Sequence, residues 1–334
     1  MECVRIQDIS SYKTGRAVRR ICEILSERYN IEMTDVDPDI VIGNTLASID
    51  KIPQKGIKVL HAVENCVPDF NLYDYAIGYD YLSFGDRYMR LPLYCLYPEF
   101  DTLFNNEANR DDPSLLNRKF CSMVVSNAFC ASPIRKRFFE ELSKYKKVDS
   151  AGKYLNNIGG GYLEDKQSFI SQYKFNIAFE NSSVPGYTTE KLMQAMSADT
   201  LPIYWGNPIV HKDFNPKAFV NLQDFKSIKE CVDYIVYLDQ NDEKYLEVLR
   251  QDKFNADNNY TDYKERIWAF FDNILSQENA SRLSSFGWQA MYRKKLVDMD
   301  TCYVKFHTIE SDAFLKRYYA FKSMIYKWVH GSKF

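Results

Sequence analysis

The chain has 334 residues with a formal net charge of −2, and 46% of them are hydrophobic. This balance is ordinary for a globular protein, and the length suffices for two domains. A near-neutral charge excludes a strongly basic surface, so we expect no nucleic-acid partner. The eight cysteines are scattered without metal-ligand spacing, which indicates reduced thiols. With no apolar run of 18 residues and no signal-like start, we expect a cytoplasmic protein.

The first third of the chain alternates between a helical pattern and short apolar runs. Residues 13–28 have an apolar stripe at helical spacing, which predicts an amphipathic helix. Residues 40–42, 56–62 and 74–78 are apolar runs of strand length. Helices alternating with short strands are typical of a Rossmann-like domain.

A change in composition then predicts a linker and a second domain. Residues 98–117 are rich in Asn, Asp and Glu with little apolar periodicity. Residues 120–125 are an apolar strand, and Pro133 marks the start of the following helix. We therefore predict domains at residues 1–117 and 118–300. A basic, aromatic tail occupies residues 301–334.

Residues 173–208 form the unit around which the chain is organised. An apolar run ends at polar Glu180 and Asn181, a Pro-Gly loop and a helix follow, and a second apolar run closes the unit. This order predicts a βαβ unit with its loop at the carboxyl edge of a parallel sheet, where open α/β sheets bind ligands. Thr188 or Thr189 can cap the helix, whose free N–H groups suit an anion. An ordinary capped helix with surface charges is the alternative.

The same segment resembles a known family. FENSSVPGYTTEKL (residues 179–192) followed by TLPIYWGNP (200–208) is similar to the donor motif of the α1,3/1,4-fucosyltransferases, glycosyltransferase family 10, especially the bacterial members. The resemblance covers roughly residues 55–240. It implies an α/β fold of the GT-B architecture, with two Rossmann-like domains facing a central cleft. It also implies GDP-fucose as the donor.

Glu64 is the candidate general base for the acceptor hydroxyl. It follows the predicted strand 56–62 of the first domain, so it can face the donor across the cleft. The resemblance supports this role, because the base of the family occupies the Glu of a G-E-N segment. Here that segment reads Val63-Glu64-Asn65, with Val63 in place of glycine. An exposed carboxylate after a strand is the structural alternative.

Donor binding is assigned to seven residues, largely through the resemblance. Guanidinium and ammonium groups suit phosphate oxygens, which favours the diphosphate for Arg135 and Lys191. Glu190 is expected to accept hydrogen bonds from sugar hydroxyls. The others are expected to contact the donor or its ribose: Ser126, Asn127, Asn181 and Tyr187.

We predict no essential metal, because Arg135 and Lys191 can supply the charge that a metal would bring. Two D-x-D triplets, at residues 35–37 and 298–300, lie away from the donor motif. Stimulation by Mn²⁺ or Mg²⁺ stays open as an alternative.

The pattern of residues in the C-terminal tail, 301–334, predicts a contact with a membrane surface. Phe314, Tyr318, Phe321, Ile325 and Trp328 recur at four-three spacing among basic residues. A basic helix with an aromatic face is typical of a membrane-surface helix, so we expect peripheral association with the inner face of the cytoplasmic membrane. Packing of this face on the body or on a second subunit is the alternative.

The resemblance implies an inverting α1,3-fucosyltransferase. Such an enzyme would move L-fucose from GDP-β-L-fucose to an N-acetyllactosamine-like glycan that contains GlcNAc and galactose. We expect this glycan to be part of lipopolysaccharide or another surface polysaccharide. Lewis antigens are products of this kind. Two alternatives are the same donor with an α1,4 or other linkage, and a carbohydrate-binding relative that has lost catalysis.

Overall fold

The computed structural model describes residues 2–10, 15–105, 112–126, 131–160, 163–255 and 260–309. The strands of this part of the chain are β1 (Cys3–Asp8), β2 (Asn30–Met33), β3 (Ile40–Asn44), β4 (Ile57–His61), β5 (Tyr75–Gly78), β6 (Tyr88–Arg90), β7 (Lys119–Val124), β8 (Val148–Ala151), β9 (Tyr173–Phe179), β10 (Leu201–Trp205) and β11 (Val220–Asn221). The α-helices are α1 (Gly15–Leu25), α2 (Pro98–Asn105), α3 (Ile134–Ser143), α4 (Lys166–Ile170), α5 (Glu190–Ser197), α6 (Ile228–Asp239), α7 (Asp242–Leu249), α8 (Tyr263–Leu275) and α9 (Gly287–Ile309).

The first sheet has the order β2-β1-β3-β4-β5-β6, and every neighbouring pair is parallel. All residues of β3 and β5 are buried, as expected for strands covered by helices on both faces. The predicted helix corresponds to α1, and the three predicted strands correspond to β3, β4 and β5. The sequence analysis did not predict three strands, β1, β2 and β6. Two of them, β2 and β6, are short, and their residues are mostly polar or half-exposed.

The second sheet has the order β11-β10-β9-β7-β8 and is also parallel throughout. Its central strand β9 has seven buried residues, and β10 pairs with it from Leu201 to Trp205. The predicted βαβ unit is therefore present as β9, α5 and β10. Strand β8 was missed, because four residues reading Val-Asp-Ser-Ala carry no strand pattern.

The two halves contact one another through a shared apolar cluster, while the second sheet also has a core of its own. Leu192, Met193 and Met196 of α5 belong to the same buried cluster as Leu96 and Phe100 of the first half. Helix α2 packs against α5, and α8 packs against α1. The late helix α8 thus returns to the first sheet.

Two boundaries predicted from the sequence coincide with helices. The predicted linker at 98–117 begins with helix α2, because Phe100 buries its ring completely despite the polar composition around it. The boundary proposed between residues 300 and 301 falls inside α9, which runs from Gly287 to Ile309. The division into functional domains stays a prediction, and the aromatic stripe at 314–328 lies outside the described residues.

Within the described ranges, no helix combines the length and the apolar character that crossing a bilayer requires.

Candidate active site

The loops that follow β4 and β9 meet between the two sheets. The Tyr187 hydroxyl donates a hydrogen bond to Glu64 Oε2 at 3.0 Å. Beside it, Asn65 Nδ2 donates to Ser182 Oγ at 2.7 Å. Both loops leave the carboxyl ends of parallel strands, which is the edge where open α/β sheets bind ligands. The structure therefore places Glu64 opposite the loop that the sequence predicted to bind the donor.

Glu180 organises the start of α5. Its side chain is fully buried; Oε1 accepts a hydrogen bond from the Thr189 amide at 2.8 Å and Oε2 accepts one from Thr189 Oγ at 2.7 Å. Thr189 occupies the N-cap position of α5, but its side chain accepts no hydrogen bond from a backbone amide of the helix. Its hydroxyl donates to Glu180 instead. Lys191 Nζ completes the arrangement at 3.1 Å from Glu180 Oε2. A buried carboxylate is tolerable here because a cation and two donors surround it.

Glu190 lies between two lysines. Its Oε1 is 3.7 Å from Lys191 Nζ and 3.7 Å from Lys166 Nζ. Burial opposes ionisation, but the charges of these lysines outweigh it and lower the pKa of Glu190 to about 2. Lys166 also donates to Gln194 Oε1 at 2.6 Å. The start of α5 and Lys166 of α4 therefore place an ionised carboxylate beside two cations.

Arg135 is buried beneath the loop that follows β9, with 1% of its surface exposed. Its Nη2 donates to the Phe179 carbonyl at 2.9 Å and to Asn181 Oδ1 at 3.0 Å. Burial lowers the pKa of Arg135, and the nearby Glu180 carboxylate opposes that effect. In this structure the guanidinium holds the end of β9, and a contact with a diphosphate stays a prediction.

Tyr187 is positioned from both halves. Its ring meets the ring of Tyr79 edge-on, with centroids 5.1 Å apart. The preceding residue, Gly186, donates its amide to Asn207 Oδ1 at 2.7 Å, and Asn207 Nδ2 donates to Thr188 Oγ at 3.1 Å. Burial, followed by the charge of Glu180, raises the pKa of the Tyr187 hydroxyl. The phenol therefore stays protonated and acts as the donor towards Glu64.

Ser126 lies at the exposed end of the segment that follows β7, beside the loop after β8. Gly152 of that loop has a φ of +89°, and a Cβ there would lie 2.4 Å from the Val125 carbonyl oxygen. The two loops therefore touch backbone to backbone. Asn127 lies outside the described residues, so its predicted contact with the donor stays a prediction.

The structure brings six of the eight predicted residues into one region. These are Glu64, Arg135, Asn181, Tyr187, Glu190 and Lys191. The sequence reading missed Glu180, Lys166 and Asn207. Glu180 had a usable signal, since it directly follows an apolar strand and precedes Asn181. Lys166 had none, because it approaches α5 only through the fold.

Within the described ranges, no group of three or more His, Cys, Asp or Glu side chains could hold a metal ion. In the first D-x-D triplet, the Asp37 carboxylate forms ion pairs with Lys55 Nζ at 2.9 Å and with Arg5 Nη1 at 3.5 Å. In the second triplet, Asp300 accepts hydrogen bonds from Ser48 Oγ and from the Ile49 amide. Both triplets thus have partners within the protein.

The arrangement suits transfer of a group from an anionic carrier to an alcohol. Glu64 carries a carboxylate that can accept a proton from an alcohol, and the Tyr187 hydroxyl holds it in place. Lys191, Lys166 and the N-terminus of α5 offer positive potential to a leaving phosphate. Glu190 can accept hydrogen bonds from hydroxyl groups.

Comparison with known proteins identifies relatives of the whole chain. Residues 116–270 match the model of the C-terminal part of glycosyltransferase family 10 (fucosyltransferase), and residues 7–97 match the α-(1,3)-fucosyltransferase FucT N-terminal domain. The α-(1,3)-fucosyltransferase FucT of Helicobacter pylori is 36% identical over 83% of this chain. An α-(1,3)-fucosyltransferase B of Drosophila melanogaster is 28% identical over 76% of it. The chain covers 66% and 60% of the lengths of these relatives.

Solved structures extend the likeness to the fold. An α1,3-fucosyltransferase crystallised with GDP-fucose superposes with a TM-score of 0.71 at 34% identity, covering 84% of this chain and 92% of that one. A structure of an α1,3-fucosyltransferase with GDP superposes with the same TM-score at 33% identity.

Two parallel Rossmann-like sheets with this site between them define a glycosyltransferase of the GT-B class, as the sequence predicted. The family matches then identify the branch. The chain belongs to glycosyltransferase family 10, the fucosyltransferases.

Proposed function

We propose that this protein transfers L-fucose from GDP-β-L-fucose to a hydroxyl of a GlcNAc-containing glycan, with inversion to an α1,3 linkage. The hydrogen bond between Tyr187 and Glu64 carries the proposal, because it unites the base loop of one half with the donor loop of the other. The similarity to an α1,3-fucosyltransferase crystallised with GDP-fucose supports the choice of donor.

In the proposed step, the Glu64 carboxylate takes the proton of the acceptor hydroxyl. The acceptor oxygen forms a bond to C1 of fucose as the bond from C1 to the β-phosphate oxygen breaks. GDP leaves with that electron pair, and Lys191, Lys166 and Arg135 offset its growing charge. Attack opposite the leaving group converts the β linkage of the donor into an α linkage. The step needs no metal of its own if these cations supply the charge.

The acceptor is proposed to be an N-acetyllactosamine-like unit of lipopolysaccharide or another surface polysaccharide. The resemblance to bacterial family members supports this choice.

The test is transfer from GDP-fucose to N-acetyllactosamine, followed by mass spectrometry and by NMR assignment of the new linkage. Glu64→Gln keeps the oxygen that accepts from Tyr187 and removes the base. It should lower kcat at least about 100-fold while GDP still binds in calorimetry. Glu141→Gln, on an exposed face of α3, is the matched control and should transfer normally. Near-normal turnover in Glu64→Gln would refute the assignment of the base.

An α1,4 linkage is the second candidate. A 3-galactosyl-N-acetylglucosaminide 4-α-L-fucosyltransferase of Bos taurus is 34% identical over 40% of this chain. Acceptors with galactose linked β1,3 or β1,4 to GlcNAc separate the two, because each linkage leaves a different hydroxyl free. Transfer to the β1,3-linked acceptor alone would favour the α1,4 reading.

A further inference from the structure

A buried amide connects the two halves of the molecule beside Glu190. Gln194 of α5 is 4% exposed, and its side chain makes a hydrogen bond at each end. Its Nε2 donates to Glu99 Oε1 of α2 at 3.0 Å, and its Oε1 accepts from Lys166 Nζ of α4 at 2.6 Å. Helix α2 belongs to the first half, whereas α4 and α5 belong to the second. Gln194 therefore joins a carboxylate of one half to a cation of the other.

The chemistry of these two partners determines how the amide is oriented. An ammonium only donates hydrogen bonds, and an ionised carboxylate only accepts them. The residue between Lys166 and Glu99 must therefore present an acceptor to one and a donor to the other, as a glutamine does. A glutamate at this position would oppose Glu99 with a second carboxylate. An aliphatic side chain would remove both hydrogen bonds.

Lys166 extends this connection to Glu190. Its Nζ lies 3.7 Å from Glu190 Oε1, a distance at which two charges attract without a directed hydrogen bond. Burial lowers the pKa of Lys166, and the charge of Glu190 opposes that effect. The ammonium stands at the end of a flexible four-carbon side chain, so this attraction alone leaves its position poorly defined. The 2.6 Å hydrogen bond to Gln194 is the directed contact that restrains it.

The position of Lys166 matters for the groups around it. Glu190 Oε1 is also 3.7 Å from Lys191 Nζ, which lies 3.1 Å from Glu180 Oε2. Displacement of the Lys166 ammonium would therefore change the electrostatic field at a carboxylate and at a second cation. Both of these groups, Glu190 and Lys191, are candidates for contact with the donor.

We propose that Gln194 is a positioning residue for donor binding, which holds Lys166 against Glu190 and is itself held by Glu99 of the first half. It acts through Lys166 and not by touching the donor, because its amide is buried and bonded at both ends. The inference rests on the proposed function, since Lys166 and Glu190 act on the donor of that reaction.

The test is a double-mutant cycle in which calorimetry measures the affinity of the full-length protein for GDP. Gln194→Met removes both hydrogen bonds with little change of volume, so the affinity should fall about tenfold, the scale of one hydrogen bond to a charged group. Lys166→Met should cause at least as large a loss. The double variant should bind GDP no more weakly than Lys166→Met, because the ammonium that Gln194 positions is already gone.

Transfer kinetics and a matched control separate this role from a structural one. The KM for GDP-fucose should rise in Gln194→Met, whereas the KM for N-acetyllactosamine should stay within about twofold of the wild type. Gln172 is the control, because its amide also accepts from a lysine, Lys119, and donates to a backbone carbonyl, but on an exposed surface. Gln172→Met should bind GDP with the wild-type affinity.

Losses of GDP affinity that add in the double variant would overturn the inference, as would an unchanged affinity in either single variant. If Gln194→Met does not fold, Glu99→Met takes its place in the cycle, because Glu99 is only partly buried. Its loss of affinity should likewise disappear when Lys166 is already methionine. A wild type that does not bind GDP would refute the proposed function and the inference with it. A wild type that binds GDP without this coupling would refute the inference alone.

Discussion

Single buried side chains set the chemistry of this site. Glu180 has no exposed surface, yet it orders Thr189 and Lys191 at the start of α5. Its neighbour Glu190 remains ionised because two lysines outweigh the cost of burial. These carboxylates keep the cations in place before any ligand arrives, which is the kind of preorganisation that favours catalysis.

His61 gives a pH-dependent prediction at the same scale. The ring is 1% exposed in β4, and burial lowers its pKa from 6.5 to about 4. Between these values the unfolded chain binds a proton that the folded protein does not. Stability should therefore fall as the pH drops from 6.5 towards 4, by up to about 1.4 kcal/mol per pH unit from this residue.

Urea unfolding of the wild type and of His61→Leu at pH 7 and pH 5 measures this contribution. The variant should lose less stability than the wild type between these two pH values. His211→Leu changes an exposed side chain and should keep the wild-type dependence. Equal losses in the wild type and in His61→Leu would show that burial of this imidazole does not control the response.

At the scale of elements, the loop between β9 and α5 must pass close to the first half. Gly186 has a φ of +85°, and a Cβ there would lie 2.7 Å from the Tyr79 carbonyl oxygen. Both the backbone conformation and the available space therefore demand glycine. The next residue is Tyr187, so the close approach helps to place its hydroxyl on Glu64.

Gly186→Ala should thus combine backbone strain with a clash. The strain alone costs about 1–2 kcal/mol, and the clash should add to it while displacing Tyr187 and lowering kcat. Gly85→Ala is the control, because Gly85 has a φ of +55° but its Cβ position has no atom of the described residues within 4 Å, its chain neighbours apart. Urea unfolding and transfer rates should show the larger loss at Gly186. Equal destabilisation with normal turnover in both variants would contradict this account of the loop.

At the scale of the molecule, a buried ion pair joins the two halves. Arg90 of β6 places Nη2 2.7 Å from Asp213 Oδ2 and Nη1 3.1 Å from Asp213 Oδ1. The aspartate is fully buried, and the guanidinium is 11% exposed. Tyr81 adds a hydrogen bond to Asp213 and lies against the guanidinium at 3.8 Å. Arg90 Nε also donates to the Tyr79 carbonyl, which connects this pair to the Gly186 loop.

Arg90→Met should destabilise the protein by about 3–5 kcal/mol, because it leaves the Asp213 charge buried without its guanidinium. Lys229→Met removes one partner of the exposed Lys229–Asp233 pair and should cost no more than about 1 kcal/mol. Chemical denaturation of both variants gives the comparison. A similar small effect in both would mean that the ion pair contributes little to holding the halves together.

Local patterns were sufficient for the regular elements with a buried face. The apolar runs of β3, β4, β5, β9 and β10 and the stripe of α1 each predicted the right element, because burial on a strand or helix leaves a readable period. Short or half-exposed strands such as β2 and β8 left no such trace. Helix α2 was missed because a single buried ring, Phe100, anchors a segment that otherwise reads as polar.

By itself the sequence determined the fold class, the family and the position of the βαβ unit, since these depend on contiguous motifs such as residues 179–192. Only the tertiary structure decided which side chains meet. Lys166 reaches Glu190, Arg90 reaches Asp213 and Tyr187 reaches Glu64, although each pair is far apart in the chain. Such contacts depend on how the two halves pack against each other, and no local spacing encodes them.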